Sequence, residues 1–260
     1  MITFTYAQLL AWIAAFLWPM ARLLALFATA PPFNNAVLPT TVKIGLAALI
    51  TLIVAPNLPA LPAVSVASPA GLWILAQQII IGSAIGLSMQ VVFAALEATA
   101  DMAGLQMGLS FAQLFTGSTD GSTQVLSQLL NMIGTLAFLV IDGHLQVIGV
   151  LIQSFYSVPI TADPLATGGL RTLVMWGAAI FQDGLLLSLP VIMALLIVNL
   201  ALGVLNRAAP QIGVFQVGFP VTLSAGMLML QWMTPNLMPF LARLFADSLT
   251  TLTQILAGLH

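Results

Sequence analysis

Long runs of apolar residues, separated by short polar or proline-rich stretches, dominate the pattern of this sequence. A helix that crosses a bilayer needs roughly 20 consecutive apolar residues. The longest runs approach or exceed that length: 9–30, 72–96, 185–205 and 214–233. A β-barrel would instead show segments of roughly ten residues with alternating polar positions. The pattern therefore predicts an all-α, integral membrane-type protein of long apolar helices.

The shorter runs leave more than one arrangement open. The run at 44–55 predicts either a tilted spanning helix with Lys43 at its end or a helix that does not cross the bilayer. The run at 125–141 is broken by Asp142-Gly143-His144 and resumes at 145–155. Proline, glycine and small polar residues predict loops at 56–69 and 159–169 and a turn at 117–121.

The first run resembles a signal peptide at one point, because Ala28-Thr29-Ala30 has the composition of a cleavage site. No Lys or Arg precedes the run, and Pro19 and Arg22 interrupt it. We therefore expect a retained first helix.

Two further patterns predict how helices pack. Gly82 and Gly86 have the spacing that lets another helix backbone approach closely. In the tail, 237–256, apolar residues recur every three or four positions: Leu241, Leu244, Phe245, Leu252, Ile255 and Leu256. The tail therefore predicts an amphipathic helix that lies on a surface or a partner.

Composition supports a membrane protein and excludes several classes of function. Charged residues make up 5% of the chain, whereas an ordinary soluble domain carries about 25%. The net charge of −2 offers no basic surface for nucleic acid. The chain has no cysteine, and His144 and His260 are far apart, so we expect neither a metal site nor a cofactor. No nucleotide-binding glycine loop or catalytic triad is present, so we expect no enzyme.

Glu97 and Asp101 form a possible polar site, because a spacing of four residues places both carboxylates on one face of a helix. One interpretation is a proton or cation site, since carboxylates near a membrane are costly and often functional. Its candidate partners are Arg22, Asp142 and Asp183. The other interpretation is a helix end at the water interface. The sequence favours the second, because Asp142 and Asp183 each adjoin a glycine and fit loops or helix ends better.

Methionine and phenylalanine are frequent in the stretch that follows this pair. Its apolar side chains include Met102, Met107, Phe111, Leu114 and Phe115. Such side chains usually pack in a core. The alternative is a flexible apolar seal that closes a pore by excluding water.

The strongest local signal lies between the last two long runs. It comprises Asn206, Arg207, Pro210, Gln211, Phe215, Gly218, Phe219 and Pro220. Physically, this is a polar turn of a helical hairpin. Pro210 interrupts the first helix, and Arg207 lies near its last carbonyl groups. Gly218 and Pro220 are expected to bend the second helix.

This signature resembles that of the FliR family of type III secretion export-gate subunits, whose near neighbour is the T subunit of virulence systems. Further stretches carry the resemblance in the same order: Trp18-Pro19-x-x-Arg22, Gly-Leu-Gln-Met-Gly-Leu-Ser-Phe at 104–111, and Asn-Leu-Ala-Leu-Gly at 199–203. The similarity covers nearly the whole chain. The Gly218-Phe219-Pro220 variant resembles the flagellar branch more than the virulence branch.

The resemblance implies that the helices are arranged as packed helical hairpins. It implies a structural and gating subunit that assembles with FliP and FliQ into the pore for unfolded flagellar proteins. It also implies contacts with FlhB, FlhA and membrane lipid, and no nucleic acid. The implied location is the bacterial inner membrane, in the flagellar basal body, with much of the complex on the periplasmic side. The chain, 1–260, would be one subunit in which 1–168 is similar to FliP and 169–260, with its C-terminal amphipathic helix, is similar to FliQ.

The resemblance further implies a pore plug within about 104–122. The matching residues here are Met107, Gly108, Phe111, Leu114, Phe115 and Gly117. The family has an aromatic residue at the position of Leu114, so Phe115 is expected to take over that role. The family has Asp-Pro where this chain has Thr116-Gly117, so the path of the loop departs from the family pattern. Asp101 matches an acidic position of the family, and Glu97 does not.

A stand-alone proton-coupled secondary transporter is the alternative function, with Glu97 and Asp101 as its proton site. Inverted repeats would support a transporter. The sequence shows no convincing internal repeat.

Overall fold

The structure is a computed structural model that describes residues 6–34, 38–59, 61–62, 64–109, 122–209 and 214–259. All regular elements in these ranges are helical, which confirms the all-α prediction. In chain order the helices are α1 (Tyr6–Thr29), α2 (Thr40–Val54), α3 (Pro69–Gln106), α4 (Ser122–Val140), α5 (Gly143–Ser157), α6 (Gly168–Trp176), α7 (Ala179–Ala208) and α8 (Val214–Ala257). A short 3-10 turn, Ala55–Asn57, follows α2.

The described chain contains 4 stretches that are long and apolar enough to cross a membrane: Gln8–Thr29, Thr40–Asn57, Pro69–Gln106 and Gly168–Ala208. The pair α4 and α5 adds a fifth if the two helices form one broken span. The membrane-type helical fold is therefore confirmed. α2 alone has 15 residues, so it reaches the length of a span only together with the 3-10 turn. Both alternatives for this helix stay open.

The break predicted at 142–144 is present. α4 ends at Val140, and Asp142 has a left-handed backbone with φ 55°. A left-handed residue cannot continue a right-handed helix, so α5 starts anew at Gly143. Asp is one of the few residues other than glycine that visit this conformation, since its short polar side chain suits tight turns.

The long helices extend beyond the apolar runs from which they were predicted. α3 does not end at Leu96 but continues through Glu97 and Asp101 to Gln106. Most residues of this extension are good helix formers: three alanines and one each of glutamate, methionine, leucine and glutamine. Hydropathy alone therefore underestimates the length of the helix.

The tail is not a separate helix, which corrects the prediction for 237–256. It is the C-terminal part of α8, a continuous helix of 44 residues that contains Pro220, Pro235 and Pro239. The predicted apolar face is buried, but the chain itself covers it. Ser248 on this face, for example, donates a hydrogen bond of 3.1 Å to the carbonyl oxygen of Ser88 in α3.

The described chain forms two compact units that are interleaved in sequence. The first unit comprises Met1–Val91, Asp142–Gly177 and Phe245–His260, and the second comprises Val92–Ile141 and Ala178–Leu244. α3 and α8 each contribute one part to each unit.

In the first unit, α1 and α3 pack closely at the two glycines that the sequence singled out. A Cβ atom on Gly82 would overlap the carbonyl oxygen of Arg22, and one on Gly86 would overlap the side chain of Thr29. Neither overlap can be relieved by small shifts, because backbone atoms are also involved. The predicted close approach at this Gly-x-x-x-Gly pair is confirmed.

Candidate functional site

In the second unit, α8 anchors the residue that follows α3, at the start of the predicted plug. Met107 is fully buried, and its carbonyl oxygen accepts a 3.1 Å hydrogen bond from Thr222 Oγ1. Gly226, one turn further along α8, leaves room for the Met107 side chain. A Cβ atom there would approach Met107 Cγ to 2.6 Å. The small residue and the hydroxyl together fix the position of Met107.

Gly108 ends this anchored segment with a left-handed backbone of φ 80°. Glycine adopts this conformation without steric cost, which explains why it stands at the end of a helix. Of the predicted plug residues, Met107 and Gly108 are described. Phe111, Leu114, Phe115 and Gly117 lie outside the described residues, as does the predicted turn at 117–121.

The second half of α3 also contacts α4, the helix that follows the plug segment in sequence. The rings of Phe93 and Phe138 meet edge to face with centroids 6.4 Å apart. Gly134 on α4 lies against the Leu96 side chain, which a Cβ atom would overlap. α3 and α4 therefore pack as neighbours along this face.

Glu97 and Asp101 lie within α3, are exposed, and face α4. Glu97 Oε1 accepts a 2.8 Å hydrogen bond from Asn131 Nδ2. Asp101 Oδ1 accepts a longer one, 3.5 Å, from Ser127 Oγ. Both partners are uncharged and are themselves four residues apart, so the two bonds form successive rungs between the helices. The two acids therefore share one face of α3, as predicted. Arg22, one of their candidate partners, belongs to the other unit.

α7 meets α3 from another side of the same unit. Thr99 Oγ1 donates a 3.2 Å hydrogen bond to the carbonyl oxygen of Gly184. The helices approach closely here, because a Cβ atom on Gly184 would lie 2.9 Å from Ala98 Cβ. One turn on, Ser188 Oγ lies 3.5 Å from Met102 Sδ. Polar contacts from α4, α7 and α8 thus converge on the second half of α3.

The signature residues flank the segment that joins α7 to α8. Asn206 and Arg207 are exposed in the last turn of α7, where a cation is favourable to the helix dipole. Phe215 lies in the first turn of α8, followed by buried Gly218 and exposed Phe219. Pro220 lies inside α8. Pro210 and Gln211 fall outside the described residues.

The first unit contains a buried polar cluster that the sequence analysis did not assign to a site. Arg22 is completely buried, and its three nitrogen atoms donate to uncharged acceptors. Nε bonds Gln78 Oε1 at 2.8 Å, Nη1 bonds Ser154 Oγ at 2.9 Å, and Nη2 bonds the carbonyl oxygen of Val158 at 3.0 Å. The guanidinium carbon also lies 4.3 Å from the centre of the Phe155 ring.

A sequence signal for this cluster exists in retrospect. Arg22 interrupts an otherwise uncharged apolar run, and Gln77-Gln78 interrupts another. A charge in an apolar helix needs polar partners, so the two interruptions point to each other. Ser154 and the Val158 carbonyl group could not be foreseen, because they lie far away in sequence.

These contacts hold the helices together. Among the described residues no cluster of three histidine or acidic side chains is placed to bind a metal ion. The hydroxyl groups of Thr99, Ser154 and Thr222 all bond to other groups in the packed helices.

Comparison with known proteins identifies the family. Residues 13–248 match the family described as bacterial export proteins, family 1. The chain is 46% identical to the flagellar biosynthetic protein FliR of Pectobacterium carotovorum subsp. carotovorum, over 100% of this chain and 99% of that protein. It is 41% identical to FliR of Escherichia coli strain K12 with the same coverage, and 24% identical to FliR of Bacillus subtilis strain 168 over 94% of this chain and 95% of that protein.

The names of these relatives describe flagellar biosynthesis and export rather than a catalytic activity, which agrees with the expectation of no enzyme. The apolar helices agree with a place in a membrane. The similarity extends over both compact units and both ends of the polar turn. The chain therefore belongs to the FliR family of flagellar export proteins.

Proposed function

We propose that this chain is a non-enzymatic structural and gating subunit of the flagellar type III protein export gate. It assembles with FliP and FliQ to form the pore for unfolded flagellar proteins. The observation that carries the proposal is the anchored end of α3, Met107 and Gly108, in a chain similar to FliR along its whole length. Energy for transport comes from partners.

The pore plug comprises Met107, Gly108, Phe111, Leu114, Phe115 and Gly117. Met107 is its fixed end, held by Thr222 and Gly226 of α8. Gly108 lets the backbone turn ahead of the apolar residues. The apolar side chains close the pore by excluding water until a substrate arrives.

The contacts between α3 and α4 support this plug, because the two helices enter and leave the plug segment in sequence. Packing of Phe93 on Phe138 and the hydrogen bond between Glu97 and Asn131 keep α3 and α4, the two stems of the plug, side by side. Glu97 and Asp101 are then positioning groups on the stems rather than a proton site. The hydrophobic stem contacts contribute more than the exposed polar pair.

The turn between α7 and α8 takes part in assembly. The last turns of α7 are exposed, including Leu200, Val204 and Leu205. Such a surface needs lipid or other subunits to cover it. FliP, FliQ, FlhB and FlhA are the partners we propose, in the inner membrane part of the basal body, with much of the complex on the periplasmic side. The division into a FliP-like part, 1–168, and a FliQ-like part, 169–260, belongs to the same proposal.

The alternative, a stand-alone proton-coupled transporter, receives less support from the geometry. A coupled proton site usually pairs buried charges inside a helix bundle. Glu97 and Asp101 are exposed and bond to Asn131 and Ser127, which carry no charge.

Native mass spectrometry in mild detergent tests the proposed function, after co-expression of the chain with the FliP and FliQ homologues of the same genome. We expect one copy of this chain inside a large hetero-oligomer. A monomer or small homo-oligomer that binds neither partner would contradict the proposal and favour the transporter.

A further inference from the structure

We propose that Arg22 is a positioning residue: it caps the C-terminal end of α5 and holds the 158–167 loop in the conformation that export requires. This proposal rests on the export function proposed above. It concerns only the first unit, to which α1, α5, the loop and the first part of α3 belong.

The charge of Arg22 is compensated by the end of a helix rather than by a carboxylate. Ser154 lies in the last turn of α5, and Val158 follows its last residue. The last carbonyl groups of a helix lack intrahelical partners and carry a partial negative charge. One planar guanidinium group reaches Ser154 Oγ and the Val158 carbonyl oxygen with two of its nitrogens and stacks near the Phe155 ring. A neutral side chain cannot supply this combination of charge and parallel donors.

The loop that starts at Val158 is held at two further points. Gln77 Nε2 donates to the carbonyl oxygen of Asp163, and the amide of Ala166 donates 3.2 Å to the carbonyl oxygen of Leu259. Gln77 is the neighbour of Gln78, the α3 partner of Arg22. Together with the Arg22 cap, these bonds fix the path of the loop at its start, middle and end.

All three attachments use backbone oxygen or nitrogen atoms of the loop and do not involve its side chains. Ala162, Asp163 and Pro164 are exposed. Pro159 and Pro164 further restrict the backbone. The result is a loop whose backbone path is fixed, with Val158 and Ile160 buried and the side chains of 162–164 presented outward.

The Arg22 cluster is an inefficient source of folding stability, so its role lies in positioning the 158–167 loop. Trp18 Nε1 and Gln78 Nε2 are buried without an acceptor. Desolvation of a buried charge is costly, and apolar side chains of similar size often stabilise a core as well or better. A cluster retained only for stability would not leave the Gln78 Nε2 donor unsatisfied beside a buried cation.

The test separates stability from position by exchanging the whole cluster for apolar side chains. One variant combines Arg22→Met, Gln78→Leu and Ser154→Ala, and a second carries Arg22→Lys alone. Each is co-expressed with the FliP and FliQ homologues. Hydrogen–deuterium exchange is followed for 158–167, thermal unfolding for the assembly, and export of a flagellar substrate in cells lacking the native gene. The exchange of 245–257 in α8 is the internal control.

For the triple variant we expect unchanged assembly and thermal stability, exchange in 158–167 about tenfold faster because a charge-assisted cap is lost, and export reduced about tenfold. Arg22→Lys keeps the charge at the helix end, so it should retain more protection of 158–167 from exchange, and more export, than the triple variant. Unchanged exchange in the loop would overturn the proposal, and so would faster exchange with normal export. Failure of the gate hypothesis itself would differ, since the unmodified chain would then not assemble.

Discussion

α3 and α7 are both long apolar helices, yet they lie in opposite environments. In the most apolar window of α3, 67% of the residues are buried, compared with 22% in the stretch that contains α7. The stretch with α7 is nevertheless the more hydrophobic of the two. Hydropathy therefore identifies helices that leave water but does not show which of them face protein.

Polar and small residues distinguish a helix that faces protein from one that does not. α3 carries Gln78, Thr99 and Gly86, and each meets a specific partner in the chain. In the last turns of α7, by contrast, a Cβ atom on Gly203 would meet nothing within 4 Å in the part of the chain that the structure describes. A helix that packs on other helices in an apolar medium needs small residues and hydrogen bonds, because apolar burial alone gives it little advantage over lipid.

Matched glycine substitutions give the largest expected difference between the two helices. Gly86→Ala should destabilise the protein by about 2 kcal/mol or more, because its Cβ atom overlaps Thr29 and approaches the Ala30 nitrogen to 2.9 Å. Gly203→Ala should be neutral or stabilise by up to about 1 kcal/mol, since alanine favours a helix. Thermal unfolding of the two purified variants measures both effects. Equal effects would show that α3 and α7 do not differ as described.

Two threonines of α8 sharpen the comparison on a smaller scale. Thr222→Val removes the hydrogen bond to the Met107 carbonyl group and should cost about 1 kcal/mol. Thr234→Val is the matched control, because Thr234 is exposed and its Oγ1 bonds only within its own helix, to the carbonyl oxygen of Leu230. Chemical denaturation would compare the two. A Thr222 variant as stable as the Thr234 variant would remove the anchor from the plug proposal.

The acidic pair should give the smallest effect. Glu97→Gln and Asp101→Asn each keep an oxygen that accepts from Asn131 or Ser127, so the double variant should lose less than about 0.5 kcal/mol. Export in a motility or secretion assay should be retained. Loss of export with a normally assembled complex would instead favour the proton-coupled transporter.

Much of the fold could be predicted from the sequence, because its signals are local. Runs of apolar residues gave the helices, and Asp142-Gly143 gave the break before α5. The Gly82 and Gly86 spacing gave the contact with α1. The continuity of α8 was missed, since three prolines and a change in amphipathicity favour two helices locally. Packing against the rest of the chain overrides that local preference.

The candidate sites were less predictable, because they depend on residues distant in sequence. The pairing of Glu97 with Asn131 joins two helices, and that of Met107 with Thr222 joins residues more than a hundred positions apart. The Arg22 cluster joins three segments in the same way. The residues alone left Met107 between core packing and an apolar seal, and the family resemblance indicated Met107 and Gly108 as the start of a plug. The apolar residues from Phe111 to Phe115 remain a prediction.

The central claim, that this chain helps to close an export pore, is tested most directly by ion conductance. The measurement compares membranes that contain the assembled gate with the unmodified chain and with a Phe111→Ala, Phe115→Ala double variant at equal complex yield. The account predicts a clearly raised ion leak in the variant, because two apolar side chains of the seal are removed. An unchanged conductance with an intact assembly would contradict it.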